Sequence, residues 1–131
     1  MQVQKRAVAL VLLAATCVAQ AGDTTIAAQL AQWQAEAGAS ASVERGGVFF
    51  GRKQGDLSCA ACHGAPPTAP ARHASTGKVI APLAPAFNAE RFTDSAKVAK
   101  WFKRNCKDVL SRECSAAEKA DVLAYLASLQ P

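Results

Sequence analysis

Cys59-Ala60-Ala61-Cys62-His63 constrains this chain more than any other stretch of it. Two thiols one helical turn apart, followed at once by an imidazole, form the pattern through which a c-type haem is attached. Each thiol adds to one vinyl group of the porphyrin, and the adjoining imidazole meets the iron from the same side. One such pattern implies one haem c, bound covalently through Cys59 and Cys62, with His63 as its proximal axial ligand. Two other uses of paired cysteines are poorly served. A thioredoxin-like redox pair needs an adjacent strand within a βαβ unit, and no such pattern is visible. A zinc site would have to recruit Cys106 and Cys114, which lack knuckle spacing.

What the thiols meet depends on where the chain resides. Lys5 and Arg6 precede an unbroken run of small and apolar residues, Ala7 to Ala15, and Ala19-Gln20-Ala21 offers a small-x-small cleavage site. Residues 1–21 therefore read as an export signal and 22–131 as a mature, soluble periplasmic domain. The apolar run is too short to span a bilayer as a helix, and no later segment suits stable membrane insertion. Cys17 follows Ala14-Ala15-Thr16, a poor lipobox that lacks Leu and ends in Thr. About 110 residues remain, enough for one domain with one core. Four of the five cysteines stay with them, in an oxidising compartment where thiols do not remain free by default. Without Lys5 and Arg6, thirteen basic residues face ten acidic ones, a net charge of +3. Two ionised propionates of a haem bring that near neutrality. With no arginine-rich run and no interleaving of aromatic and basic residues, nucleic acid is excluded as a partner.

Four stretches carry helical signals. Thr24 to Ala37 places Ile26, Leu30 and Trp33 at helical spacing, with Asp23 or Thr24 as cap and Gly38 at its end. Val43 to Arg52 is shorter, with Val48, Phe49 and Phe50 as its apolar content. Asp94 to Leu110 follows, with Thr93 placed to cap it. Ala116 to Leu129 opens on Ser115-x-x-Glu118, a capping-box pattern. Between Gly64 and Phe92, Pro66, Pro67, Pro70, Pro82 and Pro85 forbid a long helix, and no strand alternation appears. A loop this long is unusual unless it covers something, and a haem edge fits that role.

The second axial ligand is the open question. Met1 is the one methionine and leaves with the export signal, so His/Met ligation and the high-potential carrier it supports are excluded. His73 is the other histidine, but it follows His63 by ten residues in the proline-rich loop on the attachment side. A lysine could ligate only after losing its proton, and the sixth position could also stay empty. In the third helical stretch, Val98, Trp101, Phe102, Asn105 and Val109 share one face, with Lys97, Lys100, Lys103, Arg104 and Lys107 opposite. That basic face is a solvated surface or a dock for an acidic partner. Asn105 is a polar residue in an apolar stripe, and a buried amide is costly without a partner. On its own it reads as bonded to a backbone group or capping a frayed turn. Cys106 and Cys114 lie too far from the attachment pattern to hold another haem. Export favours pairing them, which closes a short loop worth about 2–3 kcal/mol in the chain-entropy model.

Further residues point beyond these local readings. Arg91-Phe92-Thr93-Asp94-Ser95, Trp101, Arg104-Asn105-Cys106, Cys114 and Glu118-Lys119-Ala120-Asp121 resemble the sphaeroides haem protein (SHP) class of monohaem cytochrome c. So do Glu44-Arg45-Gly46, Thr76-Gly77-Lys78 and Ile80-Ala81-Pro82-Leu83-Ala84-Pro85, and the likeness spans nearly all of the mature chain. The resemblance implies a small all-α cytochrome c fold, about four helices around one covalent haem with a long proline-rich loop. It also implies that Asn105 is the axial ligand opposite His63, beside a Cys106–Cys114 disulfide. In that class the asparagine binds ferric iron and leaves on reduction, opening a site for O2, NO or CO. A neutral amide oxygen is a hard, weak ligand, tolerable to Fe(III) and easily lost from Fe(II). Members are associated with a dihaem cytochrome c and a membrane b-type cytochrome as redox partners. His73 has no place in the class pattern.

The expected function is electron uptake followed by gas binding at the position Asn105 vacates. The alternative is a simple electron-transfer cytochrome with a stable six-coordinate haem, His63 paired with His73 or Asn105. A peroxidase or reductase would need a second His, an Arg-His pair or an acid/base carboxylate at a placed distal site. Without one, the chain reads as an electron-transfer or gas-binding protein more than as an enzyme.

Overall fold

Each helix begins where the sequence supplies an oxygen to accept its first free amides. The computed structural model describes residues 22–131, and the export signal expected over residues 1–21 lies outside them. Thr25 Oγ1 accepts the Ala28 N–H at 3.1 Å to start α1, Ile26–Ala37. Gly38, at φ +62°, ends it in the left-handed region that glycine enters without penalty. Ser42 caps α2, Val43–Gly51, and Ser58 caps the short α3, Cys59–His63. Asp94 accepts the Lys97 N–H at 2.8 Å to open α4, Ser95–Leu110. Ser115 and Glu118 form both halves of the capping box of α5, Ala116–Ser128.

The fold is all-α, as the sequence implies, with the four expected helices and α3 as a fifth. Two caps fall one or two residues later than expected, because the earlier candidates are engaged elsewhere. Thr93 donates its hydroxyl to the Glu90 carbonyl. Asp23 accepts both the backbone N–H and the hydroxyl of Ser95, tying the start of the chain to the start of α4. The proline-rich segment is also more ordered than its composition suggests. β1, Ala71–Arg72, pairs antiparallel with β2, Val79–Ile80. Two residues per strand are too few to show an alternating pattern.

The core forms where α2 and α1 pack against α5. Gly46 makes the α2–α5 crossing possible: a Cβ there would collide with the Asp121 carbonyl and crowd the Tyr125 Cβ at 2.9 Å. One turn on, Phe50 is 2 % exposed and packs with Val122 and Leu126. Asp121 locks the crossing from the side. Its buried carboxylate accepts Arg45 Nε and Nη2, both at 2.8 Å, and the Ser42 N–H at 2.7 Å. Burial pushes the Asp121 carboxyl up, but the Arg45 and Ser42 bonds outweigh it and hold the group below its ordinary range. Cys106 and Cys114, both buried, are joined in a disulfide that fixes the α4–α5 turn.

α4 is the exception. It approaches the other elements only at isolated points, being held near its ends by Asp23 and by the disulfide. No helix among the described residues is long and apolar enough to cross a membrane.

Gly46→Ala should destabilise the holoprotein by about 1–3 kcal/mol through overpacking at the crossing, read from denaturant unfolding. A second expectation concerns acid. Hydrogen bonding to Arg112 holds the Glu118 carboxyl down at about 2, against some opposition from burial. Because this folded value lies below the unfolded one, its stabilisation is present above about pH 4.3 and is lost as pH falls towards 2. Glu118→Gln should flatten that part of the pH–stability curve. Since Arg112 is half exposed, its cost at neutral pH should be only about 1 kcal/mol.

Candidate haem site

Ser58 is almost fully buried, and its hydroxyl accepts the Ala61 N–H at 3.0 Å, so the five residues of α3 start from a fixed point. They finish abruptly. Gly64 adopts φ +84°, a left-handed value that turns the chain away directly after His63. One helical turn thus presents Cys59, Cys62 and His63 together, as their spacing requires. Both thiols are free and half-buried. Cys59 packs against the Phe50–Val122–Leu126 cluster, and burial pushes its thiol pKa up. Cys62 Sγ accepts the Ala74 N–H at 3.3 Å from the hairpin turn.

His63 sits over Phe50, ring centroids 6.3 Å apart. Burial, then the charges of Arg91 and His73, lower its pKa to about 4. The imidazole is therefore neutral at physiological pH, with the lone pair that iron ligation requires. Its Nδ1 is buried and without a hydrogen-bond partner among the described residues.

The loop that follows is held by its own carbonyls. Pro67, fully buried, accepts the N–H groups of Leu83 and Ala84, each at 3.1 Å. Arg91 donates from Nε to the Pro82 carbonyl at 2.9 Å and from Nη2 to the Ala81 carbonyl at 2.8 Å. This half-buried guanidinium draws two carbonyls together and sets a cation within electrostatic reach of His63. Its positioning role is not visible in local sequence pattern.

The candidates for the second axial position differ sharply. His73 Nδ1 accepts the N–H groups of Ser75 at 3.2 Å and Thr76 at 3.3 Å. A neutral ring bonded so carries its proton on Nε2, leaving no free lone pair. His73 also adjoins Ala74, which bonds Cys62, so it belongs to the attachment side. Asn105 lies half-buried on α4, and its carboxamide has no hydrogen-bond partner among the described residues. The backbone bond or cap that would explain it as a structural amide is not formed. On the same face, Phe102 reaches the Phe50 cluster that also receives Cys59, Ala60, Leu83 and Phe92. Trp101 lies at the edge of this stripe, 43 % exposed, with the Arg104 guanidinium 5.5 Å from its ring centroid.

These residues suit a haem. Two free thiols one turn apart precede a neutral imidazole, and a helix with an apolar face packs little against protein. A flat apolar group bound at α3 would give that face a partner.

Comparison with known proteins agrees. Residues 36–126 match a family described as a domain of unknown function, DUF1924. The chain is 50 % identical over 115 residues to the cytochrome c-type protein SHP of Cereibacter sphaeroides, covering 84 % of this chain and 88 % of that one. It is 42 % identical over 90 residues to cytochrome c'' of Methylophilus methylotrophus, covering 65 % and 62 % respectively. Among solved structures, oxidised SHP, described as an oxygen-binding cytochrome c, superposes with a TM-score of 0.78 at 48 % identity, over 82 % of this chain and 100 % of that one. Oxidised cytochrome c'' superposes with a TM-score of 0.72 at 33 % identity, over 81 % and 95 %.

Arg91→Ala should cost about 1–3 kcal/mol of holoprotein stability, because charged bonds to two carbonyls are lost. Arg91→Lys should recover little of it, since an ammonium cannot reproduce the two-pronged donor. Denaturant midpoints of the ferric proteins test both.

Proposed function

The chain belongs to the DUF1924 family and to the SHP class of monohaem c-type cytochromes, with one covalently bound haem, and on that premise we propose a gas-binding function. The protein is an exported, periplasmic cytochrome, residues 22–131 after loss of residues 1–21. It takes up electrons and, once reduced, releases an asparagine ligand to admit O2, NO or CO. Cys59 and Cys62 hold the haem through thioether bonds, His63 is the proximal ligand and Asn105 the ligand on the other face. When bound, haem c supplies a one-electron iron couple with two axial positions.

The observation that carries this reading is the uncommitted carboxamide of Asn105. A half-buried amide committed to no protein group is free to turn towards the haem from an otherwise apolar stripe, and ligation to ferric iron would engage its oxygen. A neutral amide oxygen is also weak enough to leave when the iron gains an electron. The solved relative SHP is an oxygen-binding cytochrome c, which supports a diatomic ligand here. His73 is unfavourable as a rival ligand because its Nδ1 is already bonded and its chain segment adjoins Cys62. A dihaem cytochrome c and a membrane b-type cytochrome are the redox partners the class suggests.

Optical spectra of the ferric and dithionite-reduced holoprotein, with and without CO, test the proposal alongside Asn105→Ala. We expect a reduced high-spin spectrum that shifts with CO, and a ferric spectrum changed by the substitution. Reduced low-spin bands indifferent to CO would instead mean a strong ligand retained on reduction, and a plain electron shuttle.

A further inference from the structure

The charge of the described chain is unevenly placed. α4 carries Lys97, Lys100, Lys103, Arg104 and Lys107 against one carboxylate, Asp108, so five less one gives it +4. Residues 22–131 hold thirteen basic and ten acidic groups, net +3, so everything outside α4 sums to −1. All five cations are exposed. Helical spacing gathers them on one side, with Val98, Phe102, Asn105 and Val109 on the other.

Helix stability does not account for this pattern. Lys97 and Lys100 lie in the first two turns, where the helix dipole disfavours cations. Lys100 is three residues from Lys97 and Lys103, and Lys103 four from Lys107, so the face repels itself. Little compensates for it. Arg104 and Asp108 lie 3.8 Å apart and Lys103 and Glu113 4.0 Å apart, each pair well exposed, and such pairs contribute little. Among the described residues, Lys97, Lys100 and Lys107 have no carboxylate partner. At the edge of this face stands the half-exposed Trp101 beside Arg104, two residue types enriched in protein interfaces.

We propose that the basic face of α4 is a docking surface for an acidic electron-transfer protein. The inference rests on the haem lying against the opposite face of α4, and is independent of gas binding. A partner seated there is separated from the haem by one helix, about 10 Å thick. A molecule with +4 on one helix and −1 elsewhere also turns that helix towards a negative partner before contact. An anionic membrane is the less suitable occupant. A helix lying in a bilayer surface buries its apolar side, whereas Phe102 turns that side of α4 towards the core.

Stopped-flow reduction of the ferric holoprotein by reduced flavodoxin, an acidic probe donor, tests the proposal over a range of ionic strength. Lys100→Glu with Lys107→Glu should lower the low-salt bimolecular rate by roughly tenfold and flatten its salt dependence. Lys53→Glu with Lys78→Glu makes the same change in net charge away from α4, and should alter the rate by less than about twofold. Equal effects of the two double variants, or an unchanged salt slope in the α4 variant, would overturn the proposal. So would α4-dependent binding to phosphatidylglycerol vesicles with flavodoxin rates unaffected. Lys100→Gln with Lys107→Gln, a milder change, should give an intermediate loss if charge reversal disturbs folding. CO spectra of the same samples keep the gas-binding reading separate: loss of CO binding by the wild type sinks that reading and leaves the rates to decide this one.

Discussion

The contact of α2 with α5 at Gly46 determines where everything else lies. Because no side chain separates the backbones there, Phe50 one turn later drops into the core between Val122 and Leu126. Phe50 is in turn the surface beneath His63. The Arg45–Asp121 pair prevents the crossing from sliding, since a buried carboxylate with three donors has one satisfied position and costly alternatives. The imidazole is thus placed from below by the core, and the five-residue α3 needs only a cap and a terminating glycine.

α4 is positioned by the opposite means. It gains little from packing on protein and is instead fastened near its ends, by Asp23 on Ser95 and by the Cys106–Cys114 bridge. Such fastening fixes a helix without filling the space beside it. A chain whose apolar helix face packed tightly on its neighbours would have no room for a prosthetic group. One whose helix were untethered would leave the ligand's position to fluctuation.

How much of this the sequence revealed follows from how local each cause is. The attachment helix, the four longer helices and the capping box depend on residues a few positions apart, and all were legible. Asp23 failed as the α1 cap because it bonds Ser95, 72 residues away, which a local rule cannot see, and Thr93 failed as the α4 cap because its hydroxyl goes back to the Glu90 carbonyl. The hairpin was missed because two-residue strands have no period to detect. Arg91 was missed as a positioning residue because its bonds reach nine and ten residues back, to the Pro82 and Ala81 carbonyls, in a segment whose prolines announce only a loop. Asn105 stood out as an anomaly, but its proposed role came from resemblance, since an amide among apolar residues has several ordinary explanations.

The disulfide bears on how such a ligand would leave. Cys106 directly follows Asn105, is buried and is bonded to Cys114, so sliding α4 would drag the α4–α5 turn and the core beneath it. Release by helix movement would therefore be expensive. Rotation of the Asn105 side chain would need only its two torsions, neither of which is part of the bridge. In the proposed arrangement the stapled backbone keeps the amide within reach of the iron, while the side chain alone moves. Rotamer changes of that kind are fast compared with helix motions. The weakness of the ligand, rather than flexibility of the fold, would then determine when the site opens.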